Sequence, residues 1–156
     1  MLFRSGEVVI QGASVIDGYA NNPEANAASF TDGWFRTGDQ GVLDAEGYLS
    51  LIGRLKEMIN RGGEKIAPRE IDDVLLQHPS VGEAVAFGLP HERWGEEVAA
   101  AVVLKGEASE KDLLAFARER LADYKVPRKL FIVERIPRTA TGKIQRRAVA
   151  DALDPR

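Results

Sequence analysis

"APREIDDVLLQHPSVGEAVAFGLPHERWGEEVAAAVVLKG", residues 67–106, decides the fold. Its opening reads as a helix. Pro68 suits a first helical position, where its missing N–H costs nothing, and Ile71, Val74 and Leu75 share one face before Pro79 closes the run. The next two segments, "EAVAFGL" (83–89) and "EVAAAVVLKG" (97–106), are too apolar for exposed strands and are expected to form sheet core. In "SEKDLLAFARERL" (109–121) Ser109 is the expected N-cap of a helix that buries Leu113, Leu114, Ala117 and Leu121. "KLFIVERI" (129–136) reads as another strand and "KIQRRAVADAL" (143–153) as a terminal helix. With a small strand pair ahead of Pro68, residues 56–156 run strand pair, helix, strand, strand, helix, strand, helix. That order predicts an α+β domain with helices packed on a mixed sheet.

Residues 1–55 differ in character. "EVVI" (7–10) is a short β-branched run ended by Gly12, and "GVLDAEGYLSLIG" (41–53) is a hairpin about the turn Asp44-Ala45-Glu46-Gly47. Between them residues 19–39 show no sustained period, although Pro23-Glu24 marks the start of a short helix. A β-rich piece, separate from the domain that follows, is expected here.

Composition narrows the function classes. A net charge of −3 over 156 residues argues against a general nucleic-acid binder, which needs a basic excess to neutralise phosphates. The absence of cysteine excludes disulfides, thiolate zinc sites and cysteine nucleophiles, and reads as a cytoplasmic chain. The two histidines, His78 and His91, sit in turn contexts without metal-ligand spacing, so surface or capping roles and no metal site are expected. No apolar run approaches the ~18 residues of a membrane span.

Three segments carry chemistry. In "IPRTATGKIQRR" (136–147), Pro137 and Ile144 stand where a phosphate-cradling G-x-x-x-x-G-K-[ST] loop needs glycine and a hydroxyl, so that reading fails. Lys143 remains as a point charge on a glycine turn, open to a role against phosphate or carboxylate, or to none beyond a basic surface. In "FRTGDQG" (35–41), Asp39 follows a Thr-Gly turn, where a carboxylate accepts from a ribose diol or from nearby backbone. In "GRLKEMINRGGEKIAPREI" (53–71), the pair Gly62-Gly63 permits positive φ and close approach of a ligand, or serves only a tight turn.

Taken in order, these segments resemble the C-terminal portion of the adenylate-forming enzymes, the superfamily of acyl-CoA synthetases, peptide-synthetase adenylation domains and firefly luciferase. "GEVVIQGASVIDGY" (6–19) is similar to the family's G-E-[LIV]-x-[IV]-x-G-x-x-[VL]-x-x-G-Y, and "GWFRTGD" to its [WY]-[FY]-x-T-G-D. The 53–71 stretch and "PRTATGKIQRR" match two further motifs, so the resemblance covers essentially the whole chain.

The resemblance implies an ATP-dependent carboxylic acid–CoA ligase, which joins acid and ATP as an acyl-adenylate and then forms acyl-CoA, with Mg²⁺ on the phosphates and coenzyme A as acceptor. It implies that Asp39 and Arg54 bind the ribose of ATP, that Lys56 is the hinge between a large and a small domain, and that Lys143 meets the acid and the α-phosphate. It places Gly62, Gly63 and Glu64 along the pantetheine arm, Trp94 beside it or in loop packing, and Tyr124, Lys125 and Arg128 near the CoA nucleotide. The division implied is a remnant of the N-terminal domain over 1–55 and the C-terminal domain over 56–156. "INRGGEKIAP" and "LLQHPSV" look most like medium-chain, aryl and oxalate-type CoA ligases.

The family's phosphate loop and acid pocket do not occur in these residues, so the chain is expected to be a portion of such a ligase, inactive alone. Its first 55 residues are expected to expose apolar surface and favour self-association. The alternative is an accessory module of the same fold that docks on a partner protein; nucleic acid and membrane are not expected partners.

Overall fold

The computed structural model describes residues 4–155. The chain divides into two compact units, Met1–Lys56 and Glu57–Arg156.

The first unit is an antiparallel sheet of β1 (Arg4–Ile10), β2 (Phe30–Thr31), β3 (Trp34–Leu43) and β4 (Leu49–Arg54), with the short helix α1 (Pro23–Ser29) between β1 and β2. Asn22 caps α1 by accepting from the Ala25 N–H at 3.1 Å, and a proline follows at the first turn. Every strand pairs with β3. The segment read as a Thr-Gly turn proves to be strand interrupted by a bulge. Register passes from Glu7↔Gln40 to Val9↔Arg36, and Gly38 takes up the irregularity at φ 71°. The hairpin lies where the sequence placed it, with Asp44 accepting from the Glu46 and Tyr48 N–H groups at 2.9 Å. Large apolar side chains of this unit stand exposed, among them Trp34, Tyr48, Leu49 and Leu51.

The second unit holds every fully buried apolar side chain among the described residues. Its elements are β5 (Ile59–Arg61), β6 (Glu64–Ile66), α2 (Pro68–Leu76), β7 (Val81–His91), β8 (Gly95–Leu104), α3 (Glu110–Arg118), β9 (Lys129–Ile132) and α4 (Arg146–Leu153). The sheet runs β6-β5-β8-β7, with β9 parallel to β8 and the other pairs antiparallel, so it is mixed as expected. The order of elements is the one the sequence predicts.

Burial of alternate residues on opposite faces explains why the middles of β7 and β8 are apolar at consecutive positions. Ala86, Val98, Ala100 and Val102 meet Ile71 and Leu75 of α2 and Leu113 and Ala117 of α3. Val85, Phe87, Ala99 and Ala101 turn the other way, onto Ile136 and onto Val149 and Ala150 of α4. Both faces of the sheet are therefore covered. Ser109 caps α3 in a full capping box with Asp112. Two bounds differ from expectation. β9 stops at Ile132 and α4 starts only at Arg146, which leaves residues 133–145 as a loop. Pro137 lacks a ladder donor and Gly142 takes φ 79°, and neither suits a strand or helix interior.

Candidate active site

In the first unit the structure brings Asp39 and Arg54 together. They face each other across β3 and β4, and Arg54 Nε lies 2.7 Å from Asp39 Oδ1. Thr37 orders the approach by donating its hydroxyl to the Val8 carbonyl at 2.7 Å and accepting the Asp39 N–H at 3.0 Å. Glu7 braces the bulge from the neighbouring strand: it accepts from the Gly38 N–H at 3.2 Å and pairs with Arg36 at 2.7 Å. The Arg36 hydrogen bond holds the Glu7 carboxyl below the usual carboxylate range. An acceptor and a multi-proton donor side by side form a surface suited to vicinal hydroxyls.

In the second unit Lys143 stands exposed on the loop that precedes α4, and among the described residues it makes no ion pair. Its backbone is held at both ends: its N–H donates to Thr139 Oγ1 at 3.1 Å, and its carbonyl accepts from the Thr139 N–H at 2.9 Å. Arg138 donates to the Gly142 carbonyl at 3.2 Å and pairs with Glu83 of β7. The ammonium is thus presented to solvent on a fixed turn.

The other candidates gather at the far end of the β7–β8 hairpin. Gly62 (φ 59°) and Gly63 (φ 98°) form the turn of β5 and β6, and the Gly62 N–H donates to the Trp94 carbonyl at 2.7 Å. The Trp94 indole covers Gly62, where an added Cβ would lie 2.8 Å from a ring carbon; Gly63 has open space. The two guanidiniums of Arg61 and Arg93 lie 5.1 and 4.5 Å from the indole centre. Glu64 is exposed. Tyr124 is exposed as well, whereas Lys125 is engaged by Glu70 at 2.7 Å and Arg128 by Asp123 at 3.1 Å. Glu83, which anchors the Lys143 loop, and His91, at the hairpin turn, are separated by roughly 25 Å of strand. The two candidate faces are therefore distinct.

The histidines are turn caps: His78 Nδ1 accepts from the Ser80 N–H at 3.2 Å, and His91 Nδ1 from the Arg93 N–H at 3.2 Å. Sequence reasoning missed Arg146, each of whose three guanidinium nitrogens has a protein partner. Nη2 meets Asp72 at 2.7 Å, Nη1 meets the Ala86 carbonyl at 2.9 Å and Nε meets Glu57 at 3.1 Å. A signal for Asp72 was present: Pro68, Ile71, Asp72 and Leu75 form one helical stripe, and all four are buried.

Residues 70–143 match the family of the AMP-binding enzyme C-terminal domain. The chain carries an AMP-binding enzyme C-terminal domain. Around this C-terminal domain the similarity continues over nearly all the chain. An oxalate–CoA ligase of Arabidopsis thaliana is 56% identical over 93% of this chain and 29% of its own length. One of Saccharomyces cerevisiae is 54% identical over 95% of this chain and 28% of its own length. Among solved structures, the o-succinylbenzoate CoA synthetase of Bacillus subtilis with its acyl-adenylate intermediate matches at a TM-score of 0.89 and 41% identity, covering 98% of this chain and 31% of that one. The chain therefore spans under a third of the length of these relatives. No helix among the described residues is long and apolar enough to cross a membrane.

Proposed function

We propose that this chain forms the C-terminal part of an ATP-dependent carboxylic acid–CoA ligase, inactive without the remaining two thirds that its relatives possess. The observation that carries the reading is Lys143, presented without an anion on a turn fixed by Thr139 and Arg138. In the first half-reaction a carboxylate oxygen of the acid attacks the α-phosphorus of ATP and the bond to pyrophosphate breaks. Two anions meet, and the Lys143 ammonium offsets their repulsion where charge accumulates. Asp39 and Arg54 hold the ribose hydroxyls, which fixes the α-phosphorus in position. In the second half-reaction the CoA thiolate attacks the acyl carbon and AMP leaves.

The boundary between units falls directly after Lys56, which supports Lys56 as the hinge and the division of the chain there. The separation of the Lys143 loop from the Gly62–Trp94 end supports one domain serving two half-reactions by turning a different face to the substrates. Gly63 and Glu64 would border the pantetheine arm, with Trp94 closing the turn at Gly62. A CoA phosphate near Tyr124, Lys125 and Arg128 would compete with Glu70 and Asp123, exchanging one anion for another. Magnesium would accompany ATP on its phosphates, where it offsets their charge. Oxalate is the acid favoured by the two oxalate–CoA ligases, at 56% and 54% identity. A cytoplasmic location follows from soluble substrates and a thiol-free chain.

The test is a graft. The chain is exchanged for the matching segment of the Arabidopsis oxalate–CoA ligase, and oxalate-dependent ATP–pyrophosphate exchange and thioester formation are measured. The graft is expected to work in both assays, and its Lys143→Ala variant to lose exchange by at least a hundredfold. A folded graft whose exchange is indifferent to Lys143→Ala would refute the reading, as would full turnover by the 156-residue chain alone.

A further inference from the structure

Two arginines pin the Lys143 loop to one strand. Arg138 pairs with Glu83 before the lysine, Arg146 donates to the Ala86 carbonyl after it, and both acceptors belong to β7. Arg146 does more than close the loop. Its remaining nitrogens reach Asp72 at 2.7 Å and Glu57 at 3.1 Å, and Glu57 is the first residue of the second unit. One guanidinium thus joins helix α2, the edge strand β7 and the chain immediately after Lys56. Its own position is three residues beyond Lys143.

We propose that Arg146 is a positioning residue for Lys143, coupling the lysine loop to the start of the unit at Glu57 so that any rotation about Lys56 reaches the ammonium without slack. Each of Nε, Nη1 and Nη2 already has a protein acceptor, and two of the three are carboxylates that neutralise the charge a phosphate would seek. Its exposed neighbour Arg147 is the one that faces solvent. Lysine cannot replace Arg146, because a single ammonium on a flexible stem cannot span three acceptors in a planar fork. The proposal rests on the catalytic reading of Lys143, and its tests are chosen to separate the two.

The first test follows amide hydrogen exchange in the whole 156-residue chain. Arg146→Lys is expected to speed exchange at Gly142 and Lys143, whose N–H groups bond within the loop, by at least tenfold. Val149 inside α4 is expected to keep its protection. Unchanged exchange at Gly142 and Lys143 would overturn the proposal. Should Arg146→Lys unfold the chain, Glu57→Gln decides: it removes one arm only and is expected to speed the same two amides at least threefold, with no change overturning the proposal.

The second test uses the grafted ligase. Arg146→Lys is expected to slow pyrophosphate exchange at saturating ATP at least tenfold, while CoA thioester formation from supplied acyl-adenylate stays within twofold. Equal loss in both assays would mark a merely structural arginine and overturn the proposal. If Lys143→Ala retains full exchange, the catalytic reading of Lys143 fails, and the effect of Arg146 on loop protection stands apart from it.

Discussion

Asp72 and Arg146 meet at 2.7 Å around the edge of the sheet, one from a helix on each face, and between them they take up the outward N–H and C=O of Ala86. An unpaired edge strand is a template for association, and here a single ion pair covers its middle. Asp72→Ala leaves the Ala86 N–H without an acceptor and the Arg146 guanidinium with Glu57 as its remaining carboxylate partner. Losing one partner of such a pair is expected to cost about 3 kcal/mol. Urea unfolding of the second unit should show it; a loss below about 1 kcal/mol would mean that water replaces the carboxylate at little cost.

The carboxylates of this unit respond to pH in opposite senses. Burial raises Asp72 despite Arg146, so the proton-linked part of its contribution is full below its ordinary value of 3.8 and is lost as pH rises through the folded value, while the bonds to Arg146 and to the Ala86 N–H persist. Burial also pushes Glu97 up, but the Arg61 hydrogen bond, the Val98 N–H and nearby positive charge together hold it below its ordinary 4.5. The contribution of Glu97 is therefore present above 4.5 and lost as pH falls through the folded value. Glu97→Gln is expected to destabilise near neutral pH and to converge on the parent in acid. Thermal midpoints across an acid series check this, and a deficit that stays constant into acid would contradict it.

Gly62 is constrained twice, by φ 59° and by the indole of Trp94. Gly62→Ala is expected to cost about 2 kcal/mol from backbone strain and the ring contact together. In a Trp94→Ala background the cost should fall to about 1 kcal/mol, the residual backbone component. A double-mutant cycle measures the difference. Equal costs in both backgrounds would show that the indole moves aside freely.

Arg54 donates across the strand pair to Asp39, and in the proposed function both hold the ribose. In the grafted ligase Arg54→Ala removes a charged hydrogen-bond donor, a loss of about 1.5–3 kcal/mol. The KM for ATP is expected to rise ten- to a hundredfold with little change in that for CoA. A change confined to the CoA constant would place Arg54 elsewhere.

Ser109 closes a capping box with Asp112, whose carboxylate accepts from the Ser109 N–H at 3.0 Å. Ser109→Ala is expected to destabilise the second unit by about 1 kcal/mol. Denaturant midpoints measure it, and an unchanged midpoint would show that solvent caps α3 equally well.

Much of the site was legible because its residue types are local demands. Gly62 and Gly142 announce positive φ, and Asp39 and Arg54 flank a hairpin legible from its turn residues, although a register shift between Gln40 and Gly41 is what brings the two opposite each other. The loop carrying Lys143 was less legible: an apolar run past Ile132 and a helix-forming tail masked the break, which Pro137 and Gly142 impose. Trp94 was open between ligand contact and packing, and local pattern cannot choose, because the choice depends on Gly62, thirty-two residues upstream.

The sequence by itself determined the order of elements in the second unit, the Ser109 cap of α3, the Pro68 start of α2 and the chemistry of its exposed groups, since periodicity, caps and proline act over a few residues. Only the tertiary structure decided that Arg146 turns inward while Arg147 faces water, that Asp72 and Glu57 share one guanidinium, and that the Lys143 loop is fastened to β7. Those contacts join residues far apart in the chain. Their worth arises from burial and from one fork meeting three acceptors at once, conditions that exist only after the sheet and its two layers of helix have packed.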